Sequence, residues 1–198
     1  MTARTAAQLI RDIGPWAIPA VAFAAAMAFV CSASAYGLTD FPLDDAWIHR
    51  VYAQSFATGH GFAYNAGQQE AGATSPLWVV LTAPAHWLGA LGTDVVVLTV
   101  KGIGTALGLL SLWCLGDITR RLTGSALAAA LYAWEPRLLF SALSGMENTL
   151  LLFLALASTC AMLRGRWTAA SLLIGLTTVT RPEALSTLGV FLVIVYLN

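Results

Sequence analysis

Ser75-Pro76-Leu77-Trp78-Val79-Val80-Leu81-Thr82-Ala83-Pro84-Ala85-His86-Trp87-Leu88-Gly89-Ala90-Leu91 is the run whose placement decides how this chain folds. It is apolar, but short beside the roughly 20 residues of a membrane span, and it contains Pro84. Ser75-Pro76 has the form of a helix N-cap followed by proline at the first helical position, and Trp78 and Trp87 suit the headgroup boundary. Charge parity points the same way. The basic clusters Arg4/Arg11, Arg120-Arg121 and Arg164/Arg166 belong on the cytoplasmic side of a membrane protein. If 76 to 91 crossed, both later clusters would lie outside, so this run is expected to be an interfacial or re-entrant helix.

Composition supports a bilayer setting. Of 198 residues 58% are hydrophobic and 10% charged, the net charge is zero and the mean hydropathy is +0.74. Zero net charge gives no case for a nucleic-acid partner. Arginine supplies every basic residue except Lys101, and alanine and glycine abound, a composition that hints at a bacterial source. Cys31, Cys114 and Cys160 sit singly in apolar runs with no metal-ligand spacing, and are read as small core or lipid-facing residues. The run from Pro15 to Tyr36, with Ala33-Ser34-Ala35 near its end, has features of a secretory signal, but its apolar length favours a retained helix.

The expected fold is therefore all-α: one multi-pass transmembrane bundle with about six crossings. The spans are 15–36, 95–117, 125–143, 146–163, 167–181 and 184–198, and 37–94 forms a large external first loop carrying juxtamembrane helices. The N-terminus is then cytoplasmic, and Asp44, Asp45, Glu147, Arg181 and Glu183 converge on the outer face.

Each polar residue has an ordinary structural role beside a functional one. Asp44-Asp45 begins a helix in which Ile48, Val51, Tyr52 and Phe56 follow helical spacing up to Gly59. Capping explains one aspartate but not both. His60 between two glycines, followed by Tyr64-Asn65-Ala66-Gly67, has the composition of a tight turn. Glu147 suits the positive end of a helix, or faces the aspartates as a further carboxylate. Arg181 follows a helix of only about 21 Å, below the outer surface, where it pairs with Glu183 or holds an anionic headgroup. Lys101 and Glu135-Pro136-Arg137 are further intramembrane charges, and Pro136 is expected to break or kink its helix. His49 and His86 lack ligand spacing and are not assigned a role.

Together these motifs resemble the C-type, polyprenyl-phosphate-sugar-dependent glycosyltransferases, in particular the arabinofuranosyltransferase-like and protein-O-mannosyltransferase-like branch. The matching segments are Asp44-Asp45-Ala-x-Ile with Arg50-x-Tyr52-Ala53, Gly59-His60-Gly61-Phe62-x-Tyr64-Asn65-x-Gly67, Gly72-x-Thr74-Ser75-Pro76-Leu77-Trp78, Leu143-Ser144-Gly145-Met146-Glu147 and Thr180-Arg181-Pro182-Glu183. Such enzymes are larger bundles, so the resemblance implies that this chain is the N-terminal part of one, with a second chain a possible source of the remaining helices.

The resemblance implies transfer of a sugar from a polyprenyl phosphate to a hydroxyl of a glycan, lipid or protein, at the outer face of a bacterial inner membrane. Asp44 or Asp45 would be the base, with Glu147 orienting the acceptor or sharing a divalent cation, magnesium or manganese, with the two aspartates. Arg181, with Lys101 and Arg137, would hold the departing phosphate, and His60, Tyr64, Asn65 and Glu183 would contact donor or acceptor. In-line displacement would invert the anomeric centre. Two alternatives use the same residues: a transporter or channel subunit with an outward charged cavity, and a catalytically silent fragment or partner of such a transferase.

Overall fold

The structure, a computed structural model, describes residues 6–33, 38–65, 68–70 and 72–197. Positions 34–36 of the expected first span, Ala66-Gly67 of the turn motif, and Asn198 lie outside the described residues. In chain order the elements are α1 (Ala6–Ala33), α2 (Asp44–Ala57), the strands β1 (Ala63–Asn65) and β2 (Gln68–Gln69), α3 (Pro76–Thr82) running into a 3-10 helix (Ala83–Leu91), α4 (Thr93–Thr123), α5 (Leu127–Tyr132), α6 (Pro136–Leu143), α7 (Asn148–Leu163), α8 (Trp167–Thr180), a 3-10 turn (Pro182–Ala184) and α9 (Leu185–Leu197). The expected all-α class holds. A single antiparallel hairpin, pairing Ala63 with Gln69 and Asn65 with Gln68, follows α2 among the described residues.

α4 has 31 residues, about 46 Å at 1.5 Å per residue, and ends where Gly124 takes the left-handed conformation and its N–H donates to the Arg120 carbonyl at 2.9 Å. Among the described residues it is the one helix long and apolar enough by itself to cross a membrane. α6 and α7 reach that standard only as a pair, and they are bent 117° to each other. The stretches 17–31, 76–91, 167–180 and 182–193 are shorter apolar helices. Length and composition thus give one or two spans, where the sequence suggested about six.

The run 125–143 is two helices and not one. Pro136 has no N–H to donate, and Glu135 before it is extended (φ −66°, ψ 118°), so α5 stops and α6 starts afresh with proline in its first turn. Glu135 caps the new helix by accepting the Arg137 N–H at 3.4 Å.

Two packing regions fix the ends of the bundle. Phe41, Trp78, Val96, Val97, Met146 and Leu150 form a buried cluster that joins the first-loop helices to the N-terminal ends of α4 and α7. At the other ends of α4 and α7, Asp117 accepts from Arg121 Nε at 2.8 Å and from Arg164 Nη2 at 2.9 Å. α4 and α7 therefore run side by side in the same direction, with the first-loop helices at one end and the basic cluster at the other. Cys31, Cys114 and Cys160 are free thiols, and Cys114 and Cys160 are buried between α4 and α7.

Candidate functional site

The site is built on a turn. Between α6 and α7, Ser144 Oγ accepts the Met146 N–H at 3.2 Å, and Gly145 takes φ +78°. A side chain at Gly145 would place its Cβ 2.5 Å from the Phe41 ring, so only glycine fits there. The Gly145 carbonyl, turned inward, accepts the indole N–H of the fully buried Trp78 at 2.9 Å. One hydrogen bond thus locks α3 of the first loop onto the turn that carries Glu147. Gly72, at the other edge of the site, lies so close to the Tyr52 hydroxyl that a Cβ would meet it at 2.3 Å.

Glu147 is completely buried just before α7. Its Oε1 accepts from Arg181 Nε at 2.5 Å, and its Oε2 lies 3.1 Å from His49 Nε2. Burial alone would push this carboxyl up; the His49 imidazole and the Arg181 guanidinium outweigh that effect and hold it at about 2. The carboxylate ties α2, the turn before α7 and the end of α8 into one unit. Arg181 therefore pairs with Glu147, where the sequence offered Glu183 or an anionic headgroup as its partner.

Above this unit opens a cavity of about 580 Å³, whose walls include Asp45, His49, Gly72, Thr74, Arg181 and Glu183. Asp45 and Glu183 are exposed carboxylates, and Arg181 is partly exposed at the cavity wall. His49, 3% exposed, has a shielded Nδ1 without a hydrogen-bond partner among the described residues. No family model, curated protein or solved structure matches the chain.

Of the residues singled out in the sequence, the cavity gathers Asp45, Arg181 and Glu183, with Glu147 directly beneath. The others lie elsewhere. Asp44 is exposed and outside the cavity wall, because neighbouring residues on a helix point about 100° apart. Lys101 is 7% exposed on α4 and does not line the cavity. Arg137 is exposed on α6. His60 is exposed, its Nδ1 2.9 Å from the Thr58 hydroxyl; Tyr64 is exposed beside the Tyr52 ring at 5.9 Å; and Asn65 ends β1. None of these lines the cavity.

His49 is the residue that sequence reasoning left out. Its signal was the spacing: Asp45 and His49 are four apart on α2 and so share a face. A divalent cation at Asp44 and Asp45 finds no third protein ligand, since no three His, Cys, Asp or Glu side chains gather among the described residues.

Proposed function

We propose that this chain is the helical core of a membrane glycosyltransferase that moves a sugar from a polyprenyl phosphate to an acceptor hydroxyl at the outer face of the membrane. The observation that carries this proposal is the placement of a free carboxylate, Asp45, and a guanidinium, Arg181, in the walls of one cavity although 136 residues separate them (181 − 45). A base and a phosphate ligand are what such a transfer requires, because the phosphate is already a good leaving group and needs little acid assistance.

Asp45 takes the proton of the acceptor hydroxyl as its oxygen attacks the anomeric carbon. The bond from that carbon to the phosphate oxygen breaks, and the phosphate departs with the electron pair. Arg181 meets that charge with the N–H groups its Glu147 pair leaves open. Glu147 offsets part of the Arg181 charge, so orientation of the planar fork is the larger contribution. The attack is in line and the anomeric centre inverts. Glu183 borders the space left for the sugar hydroxyls.

The membrane setting is supported by the apolar side chains left on the outside. Trp87 and Leu91 on the 3-10 helix, Leu131 on α5 and Leu172 on α8 are each two-thirds or more exposed, as side chains facing lipid would be. α4 serves as a full span, α5 and α6 bring the chain back toward the cavity end, and α7 descends beside α4. The basic cluster around Asp117 lies at the end away from the cavity, as the charge rule requires of an outward-facing site.

Donor binding tests this assignment. A polyprenyl phosphate should raise the melting temperature of the purified protein, and Arg181→Lys, which keeps the charge and loses the fork, should shrink that rise. A wild-type protein that shows no donor-dependent shift, or a mutant whose shift equals wild type, removes Arg181 from the site.

A further inference from the structure

α2 separates two polar cavities. His49 faces the one described above, and the next residue, Arg50, faces a second, of about 300 Å³, between α2, the 3-10 helix and the start of α4. Its walls include Arg50, Gln54, His86, Trp87 and Thr93. No carboxylate lines it among the described residues.

We propose that this second cavity is a binding site for a phosphate group, with Arg50 as its charged ligand and His86, Thr93 and Gln54 as hydrogen-bonding neighbours. Arg50 forms no ion pair among the described residues. It rests on the Trp47 ring at 5.4 Å, one terminal nitrogen reaches the Thr93 hydroxyl at 3.4 Å, and its Nε is shielded from water without a hydrogen-bond partner among the described residues. A half-buried guanidinium with open donors, in a cavity wall that holds no carboxylate among the described residues, is short of an anion.

His86 completes the pattern. Its Nε2 is likewise shielded and without a hydrogen-bond partner among the described residues. Burial, and then the charge of Arg50, lower its pKa to about 4, so at neutral pH the ring is uncharged and Nε2 carries a proton in one of its two tautomers. Thr93, whose oxygen already accepts from Arg50, has its hydroxyl proton to give. Two orphaned nitrogens, a hydroxyl and the Gln54 amide around one space supply donors for an oxyanion with several acceptor oxygens. The N-terminal end of α4 adds a favourable dipole there, which Asp94, exposed and outside the cavity wall, offsets in part.

The phosphate has two sources: a free ion, or the headgroup of an anionic lipid. The second draws on the membrane proposal, because exposed Trp87 and Leu88 would hold the 3-10 helix at the headgroup boundary. The binding chemistry itself does not depend on that proposal or on sugar transfer.

Isothermal titration of the full chain in neutral detergent tests the site with inorganic phosphate, dihexanoyl phosphatidate and, as the phosphate-free control, dihexanoylglycerol. Wild type should bind at least one phosphate compound and not the control. Saturation by inorganic phosphate assigns a free ion, and binding of phosphatidate alone assigns a headgroup. Arg50→Gln should weaken binding about tenfold or more. His86→Gln and Thr93→Val, which keep Arg50, should each weaken it severalfold with the melting temperature unchanged, and they decide the matter if Arg50→Gln fails to fold. Binding unchanged in these variants, or no binding by wild type, overturns the proposal. So does binding lost in Arg181→Gln and kept in Arg50→Gln, which would put the phosphate in the first cavity.

Discussion

Glu147 shows how one residue serves stability and site together. It is a fully buried carboxylate paired with Arg181 and in contact with His49, so neutralising it leaves the guanidinium without its counter-charge. Glu147→Gln should lower stability by about 3 kcal/mol in denaturant unfolding, as breaking a buried pair does. The pH dependence follows in sign. The folded carboxyl lies at about 2, below its ordinary value of 4.5, so its stabilising effect is complete above pH 4.5 and fades as pH falls toward 2. Melting temperatures of wild type and Glu147→Gln should therefore converge across that window. A constant gap down to pH 2 would mean that the pair does not hold the carboxyl ionised. Asp44 and Asp45 illustrate the limit of a residue motif: the doublet looks like a unit in the sequence, but helical rotation lets one member face the cavity and turns the other to the outside.

At the scale of elements, the turn between α6 and α7 controls the site. Its left-handed glycine aims one carbonyl at Trp78 and sets Glu147 below the cavity. Gly145→Ala adds a Cβ against Phe41 in an unfavourable conformation and should lower stability by roughly 1–3 kcal/mol. Gly175→Ala, in α8 with open space around it, should raise stability by roughly 0.5–1 kcal/mol. Equal melting of the two variants would contradict the tight turn. Most element boundaries could be read from the chain, because apolar runs, the proline at 136 and the glycines at 124 and 165 punctuate it locally. The pairing of Arg181 was not legible: Glu183 is near in sequence, but a helix end and a turn 34 residues upstream bring Glu147 closer. His49 was left without a role for the same reason, since a lone histidine acquires meaning only from what packs against it.

For the whole molecule, the orientation in the membrane is the claim most exposed to test. In a protein lacking the three native thiols, Asn65→Cys and Asp94→Cys should react with a membrane-impermeant maleimide in intact cells, and Ser125→Cys should not. Reaction at position 65 with protection at 94 would mean that 76 to 91 crosses, reversing the placement of every later segment. Charge parity could be read from the sequence alone, because it depends on counting and not on contacts. Parity put Asp45, Arg181 and Glu183 on one face, but their meeting in one cavity required the fold, since it arises from how α2, α3 and α8 pack. The most direct measurement is transfer of radiolabelled sugar from a polyprenyl phosphate by membranes carrying wild type, Asp45→Asn or Asp44→Asn at equal expression. Asp45→Asn keeps the side chain's size and removes its basicity, so transfer should fall by about 100-fold or more, while Asp44→Asn stays within a few-fold of wild type. Wild-type turnover by Asp45→Asn, or no transfer by wild-type membranes, would contradict the assignment of this cavity as a transferase site.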